Sequence, residues 1–240
     1  MAKPELLDSN KHKNLKVITE RGEQFGESVH FVPVVADELR SLVLDYPVVF
    51  MKDAETGRFG LFALFAFEPG ENLFLEGNDW NATYVPLHVR RQPFMVAYQG
   101  GDTEEKKAVL SIDADSKRLQ EDKGEPLFND DGSASPYLEN MNKVLGSLMT
   151  GVESNNKFVE KMVELELIES ARIEVSFIDG EQKSYDGIYT INEKNIAELD
   201  DEQTLALHKL GYLQAAALIA ASMGQIRKLI ALKNKRLSKS

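Results

Sequence analysis

The sequence predicts an α+β fold, with a mostly antiparallel sheet in the N-terminal two-thirds and a β-hairpin and long helices in the C-terminal third. Short runs of branched and aromatic residues, separated by Gly, Asp, Asn and Pro, fill residues 14–112. From 135 to 232 apolar residues recur at helical spacing, interrupted by a period-two stretch near 171–191. Without internal repeats or linkers, we expect a single domain over residues 1–240 that ends in a basic tail at 233–240.

Six runs in the first half of the chain have the composition of strands. They are residues 15–18, 29–35, 47–51, 59–67, 94–98 and 108–112. Residues 52–58 form a polar segment with Gly57 near its end, which is typical of a hairpin loop, so runs 47–51 and 59–67 should pair. Because run 59–67 is apolar on both faces, we expect it in the middle of the sheet.

Helical spacing first occurs at residues 36–45, where we expect a short connecting helix. A stronger helix begins at Ser135 and Pro136, an N-cap residue followed by proline at the first helical position. Its apolar pattern continues after Gly151 through residues 155–168. The two segments therefore form either one bent helix or a helical hairpin.

The clearest hairpin lies at residues 171–191, where polar and apolar residues alternate on both sides of Asp179 and Gly180. A short helical turn follows at 195–199. Asp200 then precedes a long helix over 202–232, in which Gly211 and Gly224 are the weak points. Residues 210–226 are uncharged but too short and too weakly apolar for a membrane span, so we expect a buried helix.

The composition excludes several classes of function. The 240 residues are 42% hydrophobic and 28% charged, as in ordinary globular proteins, and include no cysteine. Disulfides, thiol nucleophiles and cysteine-ligated metals are therefore excluded. The net charge of −11 repels nucleic acid. The charged N-terminal segment lacks the apolar core of a secretory signal, so we expect a cytoplasmic protein.

Residues 225–240 differ in charge from the rest of the chain. They hold six basic residues and no acidic one, which leaves a net charge of −17 for the remainder. Two interpretations stay open. The cations either complement a helix C-terminus and continue as a solvated tail, or they form a docking patch for an acidic partner.

The most unusual local composition lies in residues 72–94, and five residues there are predicted to bind a ligand: Trp80, Tyr84, His88, Arg90 and Arg91. Rings beside guanidinium groups suit a planar or anionic ligand, because arginine binds carboxylate or phosphate bidentately and stacks on aromatic rings. The alternative is a buried aromatic corner in which Arg90 or Arg91 pairs with Asp79 or Glu76.

Other chemical signals are weak. The four histidines, His12, His30, His88 and His208, lack the spacing of metal ligands. Residues 129–133 resemble part of a calcium loop but lack its closing Glu, because position 140 is Asn, and they fit a turn before a helix better. No nucleotide-binding or hydrolase motif is present. We therefore assign no catalytic residue, metal or cofactor.

Five distinctive blocks follow one another along the chain. They are DYPVVF at 45–50, PGENLF at 69–74, Trp80 with Tyr84 and Pro86, VRRQPF at 89–94 and GEPLF at 124–128. In this order they resemble the bacterial SapC family. With the similar C-terminal third, the resemblance covers roughly residues 10–232. It implies a surface-layer association through the family's name, and a flavin-dependent halogenase-like protein as a candidate partner. It implies no established activity. Many relatives have Cys where this chain has Ser111, so a thiol role at that position is absent here.

We consider three functional hypotheses. The first is a cytoplasmic binding or accessory protein that uses the region from Trp80 to Arg91. The second is an enzyme acting on a small molecule or peptide in a halogenase-associated pathway, with Tyr84, His88 and the two arginines in a pocket. The third is a surface-layer structural protein. A deep pocket in which these side chains converge on a perturbed titratable group indicates the enzyme, whereas a shallow groove indicates the binding protein.

Overall fold

A computed structural model describes residues 3–99 and 107–239 of the chain. The chain groups into two compact units. Unit 1 consists of Met1–Glu27, Gly77–Asp79 and Leu87–Met149, and unit 2 consists of Ser28–Glu76, Trp80–Pro86 and Thr150–Ser240. Both units contain helices and strands. The predicted α+β class is therefore confirmed, whereas the single domain over residues 1–240 stays a prediction.

The strands of the structure overlap all six predicted runs. In chain order they are β1 (Pro4–Leu6), β2 (Lys16–Val17), β3 (Phe31–Pro33), β4 (Val48–Lys52), β5 (Phe59–Leu64), β6 (Leu75–Glu76), β7 (Asp79–Trp80), β8 (Phe94–Gln99), β9 (Lys107–Asp113), β10 (Leu119–Gln120), β11 (Glu125–Pro126), β12 (Ile168–Ser176) and β13 (Gln182–Ile191). The unpredicted strands β1, β6, β7, β10 and β11 have only two or three residues each. Such segments are too short to carry a periodic pattern.

The helices follow the predicted order but differ in length. They are α1 (Leu39–Leu42), α2 (Leu87–Arg90), α3 (Pro136–Glu164), α4 (Glu193–Ala197), α5 (Asp201–Lys209), α6 (Tyr212–Ser222) and α7 (Ile226–Leu237). Short 3-10 turns lie at Glu23–Phe25, Ala36–Glu38 and Met223–Gln225. The connecting helix predicted at 36–45 is therefore a 3-10 turn that continues into the single turn α1.

Unit 2 is built on five antiparallel strands in the order β12-β13-β4-β5-β3. The predicted β4–β5 hairpin is confirmed, with Val49 opposite Phe62. β5 has a neighbour on each side, as predicted, but ends at Leu64 instead of residue 67. The carboxylate of Asp53 closes the hairpin loop by accepting hydrogen bonds from the backbone N–H groups of Glu55 and Thr56. The second predicted hairpin is β12–β13.

Unit 1 contains two three-stranded antiparallel sheets, β1-β9-β8 and β10-β2-β11. In the first sheet Phe94 lies opposite Ile112, and both side chains are buried. In the second sheet Val17 of β2 is fully buried. The two-residue strands β10 and β11 both pair with β2, so the residues before α3 return twice to the N-terminal segment.

Helix α3 begins where the sequence predicts. Ser135 Oγ accepts a hydrogen bond from the backbone N–H of Leu138 at 3.2 Å, which satisfies a free donor of the first turn. The helix runs without interruption through Gly151, so the helical hairpin is excluded. In unit 2 an added Cβ on Gly151 would lie 2.7 Å from the side chain of buried Val35. This glycine therefore permits close packing and does not end the helix.

The long helix predicted at 202–232 is divided at both of its glycines. Asp200 caps α5 as predicted, since its side chain accepts a hydrogen bond from the backbone N–H of Gln203 at 2.7 Å. Gly211 has a φ of 75°, a left-handed conformation that ends α5 and begins α6. Gly224 lies in the 3-10 turn before α7. The predicted weak points are thus confirmed as helix boundaries.

Within the described residues, the helical stretch Tyr212–Leu237 is long and apolar enough by composition to cross a membrane, with a mean hydropathy of 1.4 in its most apolar window. Only 22% of that window is buried, with Ala216 and Ile219 inside and Ala217 and Ala221 exposed. One such helix is weak evidence for a span, because core helices of soluble proteins share this composition. The predicted buried helix is therefore buried along one face only.

Candidate functional site

Two predicted site residues, Trp80 and Tyr84, belong to a hydrogen-bond chain in unit 2. Trp80 Nε1 donates to Tyr46 Oη at 2.6 Å, and Tyr46 Oη donates to the backbone carbonyl of Tyr84 at 2.5 Å. Tyr84 Oη donates to Glu38 Oε1 at 3.0 Å. The Trp80 ring also meets Phe65 edge-on, with centroids 5.1 Å apart. The polar groups of both predicted residues therefore have partners inside the molecule.

Tyr46 lies at the centre of this hydrogen-bond network. Its side chain is fully buried, and burial raises its pKa far above the usual range of a phenol. The hydroxyl therefore stays protonated and can accept from the indole while donating to a carbonyl. Such a network positions the loop that carries Trp80 and Tyr84, whose side chains are half-buried.

Asp45, next to Tyr46 in the chain, fixes the same loop from a second side. One of its carboxylate oxygens accepts hydrogen bonds from the backbone N–H of Thr83 at 2.7 Å and from the Thr83 hydroxyl. Its other oxygen accepts from Lys228 Nζ at 2.5 Å. Burial alone raises the pKa of Asp45, but the bonds from Lys228 and Thr83 outweigh burial and lower the pKa overall. The ionised carboxylate thus acts as a structural clamp.

His88, Arg90 and Arg91 lie in unit 1, at α2 and just after it. Arg91 Nη1 donates to the carbonyl of Phe94 at 2.8 Å, and Arg91 Nε lies 3.5 Å from His88 Nδ1. Burial and the adjacent Arg91 lower the pKa of His88 to about 4, so its imidazole is neutral at neutral pH. Arg90 is half-buried and forms no ion pair with a described residue. The predicted alternative pairing with Asp79 or Glu76 does not form among these residues.

The unit boundary divides the five predicted residues, because Trp80 and Tyr84 belong to unit 2 and the other three to unit 1. Their role in binding a ligand stays a prediction. Of their polar groups, the Trp80 indole, the Tyr84 hydroxyl and part of the Arg91 guanidinium are engaged within their own unit.

Sequence reasoning missed a buried ion pair in unit 1. Arg118 Nη2 lies 2.6 Å from Glu27 Oε1, and the two side chains are 2% and 1% exposed. Arg21 Nη1 approaches the same oxygen at 2.8 Å. Arg118 also donates to the carbonyls of Ile18 and Glu20 and lies over the Phe25 ring at 4.4 Å. With four partners in one segment, Arg118 fixes the backbone of residues 18–27.

The basic C-terminal segment pairs largely within unit 2. Lys228 bonds Asp45, Lys233 bonds Glu71 at 2.9 Å, Lys235 bonds Glu76 at 2.9 Å, and Arg236 donates to the carbonyls of Asn72 and Leu75. Lys235 and Arg236 lie in the last turn of α7, as the helix-terminus interpretation predicts, whereas the docking patch for an acidic partner stays a prediction. Both interpretations of the charge pattern miss the internal pairing, because sequence shows no link between residues more than 150 positions apart.

Four open grooves in the described parts of the chain have volumes between about 470 and 570 Å³. One lies between α1, α3 and the start of α6, one between α4 and α6, and one beside β1 and β9. The fourth, of about 570 Å³, lies in unit 2 between the β4–β5 hairpin and α3, and we call it the hairpin groove. Its lining residues are Lys52, Gly57, Arg58, Phe59, Asn156, Val159, Glu160, Val163 and Glu164. The predicted residues Trp80, Tyr84, His88, Arg90 and Arg91 line none of these four grooves.

The hairpin groove combines an apolar floor with charged walls. Phe59, Val159 and Val163 supply apolar surface, and Val163 is 48% exposed. The charged residues of the groove have opposite signs on its two walls. Lys52 and Arg58 are the cations on the hairpin, and Glu160 and Glu164 are the carboxylates on α3. Sequence analysis did not single out this groove, because its two walls are about one hundred residues apart in the chain.

No group of three or more His, Asp or Glu side chains that could hold a metal ion occurs among residues 3–99 and 107–239. In the segment resembling a calcium loop, Asp131 Oδ1 instead accepts from the backbone N–H of Ser133 at 2.9 Å. This bond closes a turn before α3, in line with the predicted turn.

Comparison with known proteins places the chain in a family. A family model described as SapC matches residues 7–229, which is most of the chain. No curated protein and no solved structure matches the chain.

Proposed function

Because the chain belongs to the SapC family over residues 7–229, for which we know no established activity, we propose that it is a cytoplasmic binding or accessory protein that uses the hairpin groove. One observation carries this proposal. The groove exposes an apolar floor between charged walls of opposite sign, and no ion pair joins those walls within the described chain. Small-molecule sites combine apolar surface with polar groups that orient the ligand, and the hairpin groove offers both kinds of surface.

The region from Trp80 to Arg91 is the weaker candidate for this role. Its indole and phenol groups already donate to Tyr46 and Glu38, so a ligand would have to displace internal hydrogen bonds. Breaking a buried bond costs about 1–3 kcal/mol, which a ligand would need to recover. The hairpin groove requires no such exchange.

An enzyme is the second candidate, and His88 is the observation that favours it. Its lowered pKa and the adjacent Arg91 give a neutral imidazole in a partly buried setting, as in some general bases. Against this, the Nδ1 atom faces Arg91 Nε, and the four grooves described above do not contain His88. We therefore rank binding above catalysis.

Affinity capture tests the proposal. The tagged full chain is incubated with cytosolic extract of the source organism, and bound small molecules and proteins are identified by mass spectrometry. A Val163→Trp variant fills the groove from an exposed position, whereas Arg90→Ala changes the region from Trp80 to Arg91 and leaves the groove intact. We expect Val163→Trp to lose a bound species that the wild type and Arg90→Ala retain.

The opposite pattern contradicts the groove assignment. If Arg90→Ala loses the bound species and Val163→Trp keeps it, the originally predicted region is the binding site. Thermal melts of both variants serve as a control, since a loss of binding is informative only when the melting temperature is preserved. A halogenase-like protein in the captured set would support the partner that the family resemblance suggests.

A further inference from the structure

The cations of the hairpin groove lack an internal counter-charge. Lys52 ends β4 and Arg58 precedes β5, and neither forms an ion pair with a described residue. In the loop, Asp53 Oδ1 accepts from the backbone N–H and the hydroxyl of Thr56, each at 2.7 Å, and neither Asp53 nor Glu55 forms an ion pair with a described residue. Lys52 Nζ lies 5.6 Å from the centroid of the Phe59 ring, above the apolar floor. Two cations therefore face the groove without a carboxylate.

The opposite wall has the complementary feature. Glu160 lines the groove and forms no ion pair within the described chain. The lysines closest to it on the helix are already engaged, since Lys157 bonds Glu153 at 3.0 Å and Lys161 bonds Glu164 at 2.6 Å. The groove thus leaves the Glu160 carboxylate without a cation.

The two signs line the groove from two different elements, and no ion pair joins them within the described chain. A ligand that carries its own ammonium and carboxylate would satisfy both walls at once, because ammonium groups donate to carboxylates and carboxylates accept from guanidinium and ammonium groups. An apolar portion would cover Phe59, Val159 and Val163. A volume of about 570 Å³ is in the range of sites for small molecules.

We infer that the hairpin groove binds a zwitterionic ligand with an apolar body, as in free α-amino acids and short peptides with unblocked termini. The ligand's carboxylate faces Lys52 and Arg58, and its ammonium group faces Glu160. This inference rests on the proposed function, because it names the ligand class of the same groove. The groove between α1, α3 and α6 also holds charges of both signs that form no ion pair with a described residue, Asp37 and Arg40, but both lie on the one helical segment 36–42 instead of on two different elements.

The test uses the full-length protein with 13C-labelled valine methyl groups, so that Val159 and Val163 report on the floor of the groove. Four probes are titrated to about 10 mM, which covers dissociation constants in the millimolar range. They are leucine, leucyl-leucine, N-acetyl-leucyl-leucine and leucyl-leucine amide. We expect saturable shifts of the Val159 and Val163 methyl signals with leucine, leucyl-leucine or both, and the comparison of these two distinguishes an amino-acid site from a peptide site.

Charge variants then assign each end of the ligand. Glu160→Gln should weaken leucyl-leucine by about fivefold and leave the N-acetylated probe unchanged, because that probe has no ammonium group. Lys52→Gln combined with Arg58→Gln should weaken leucyl-leucine by a similar factor and leave the amide probe unchanged. Glu139→Gln and Lys143→Gln, exposed on α3 outside the groove, serve as matched controls.

Two results would overturn the inference. One is the absence of saturable valine shifts with all four probes, and the other is an equal response of groove variants and control variants. A groove-dependent species of different chemistry in the capture experiment would then show that the groove binds, but binds another class of ligand. If Val163→Trp also leaves capture unchanged, the proposed function fails together with the inference.

Discussion

Arg118→Met removes a buried cation from unit 1 while keeping a long, flexible side chain in its place. Glu27, whose side chain is 1% exposed, would lose Arg118 but keep Arg21 and the backbone N–H of Gly22 among its partners. The carbonyls of Ile18 and Glu20 would also lose their donor. Removing one partner of a buried pair costs about 3–5 kcal/mol, and the ion pair with Arg21 that Glu27 keeps places the expected cost at the lower end of this range. We expect that loss in the free energy of unfolding.

The measurement is urea unfolding followed by circular dichroism, with amide hydrogen exchange to locate the effect at residues 18–27. Arg172→Met is a matched control, because Arg172 Nε lies 2.7 Å from Asp186 Oδ1 but both side chains are more than 60% exposed. Exposed pairs contribute about 0–1 kcal/mol. The two variants therefore remove similar contacts that differ mainly in burial.

A loss below about 1 kcal/mol in Arg118→Met, equal to the control, would refute this reasoning. It would mean that water reaches Glu27 once the guanidinium is gone. A second variant sharpens the test. Adding Glu27→Gln to Arg118→Met removes the stranded charge, so the double variant should lose less stability than the sum of the two single variants.

Three further predictions concern individual residues. Because the pKa of His88 is lowered from 6.5 to about 4, the unfolded chain binds a proton more readily than the folded one, and stability should fall by about 2 kcal/mol between pH 7 and pH 5. His88→Gln should lack this component in urea melts at both pH values. Tyr46→Phe leaves the indole N–H of Trp80 without its acceptor and should lower the free energy of unfolding by about 1–3 kcal/mol. Trp80 is the only tryptophan of the sequence, so a shift in tryptophan fluorescence emission measures the change. An unaltered spectrum would contradict this prediction. In α3, Gly151→Ala should destabilise by about 1–3 kcal/mol through overpacking. Gly146→Ala, which has open space around it, should stabilise by up to about 1 kcal/mol, and equal melting shifts would argue against the packing explanation.

Elements with a complete local signal could be predicted from the sequence. The β4–β5 hairpin has a polar loop between two apolar runs, and the start of α3 has both a capping serine and a proline. Gly151 shows where local reasoning stops. Its intrinsic preference favours a helix boundary, but the helix continues because the approach of Val35 in unit 2 requires a residue without a side chain.

Strand β1 shows the same limit in a different form. Three residues, Pro4–Leu6, pair with β9 more than one hundred positions later. A segment of that length has no period to detect. Its pairing depends on a long-range contact that a single sequence does not reveal.

The candidate site was predicted on the assumption that residues close in sequence act together. The structure groups Trp80 with Tyr84 but assigns His88, Arg90 and Arg91 to the other unit. Trp80 and Tyr84 do share one network, but their partners Tyr46 and Glu38 come from residues about 40 positions earlier. The hairpin groove has no comparable sequence cluster. Its charged side chains are ordinary surface residues until the fold brings the hairpin and α3 together.

The pairing of the C-terminal cations makes the unpaired charges of the hairpin groove more informative. In unit 2, Lys233 reaches Glu71 across 162 positions of the sequence, so distance along the chain does not prevent ion pairs from forming. Lys52, Arg58 and Glu160 line a single groove and still form no pair with a described residue. A shortage of counter-charges does not explain this, because both signs are present. A ligand that carries both an ammonium group and a carboxylate would satisfy the two walls at once.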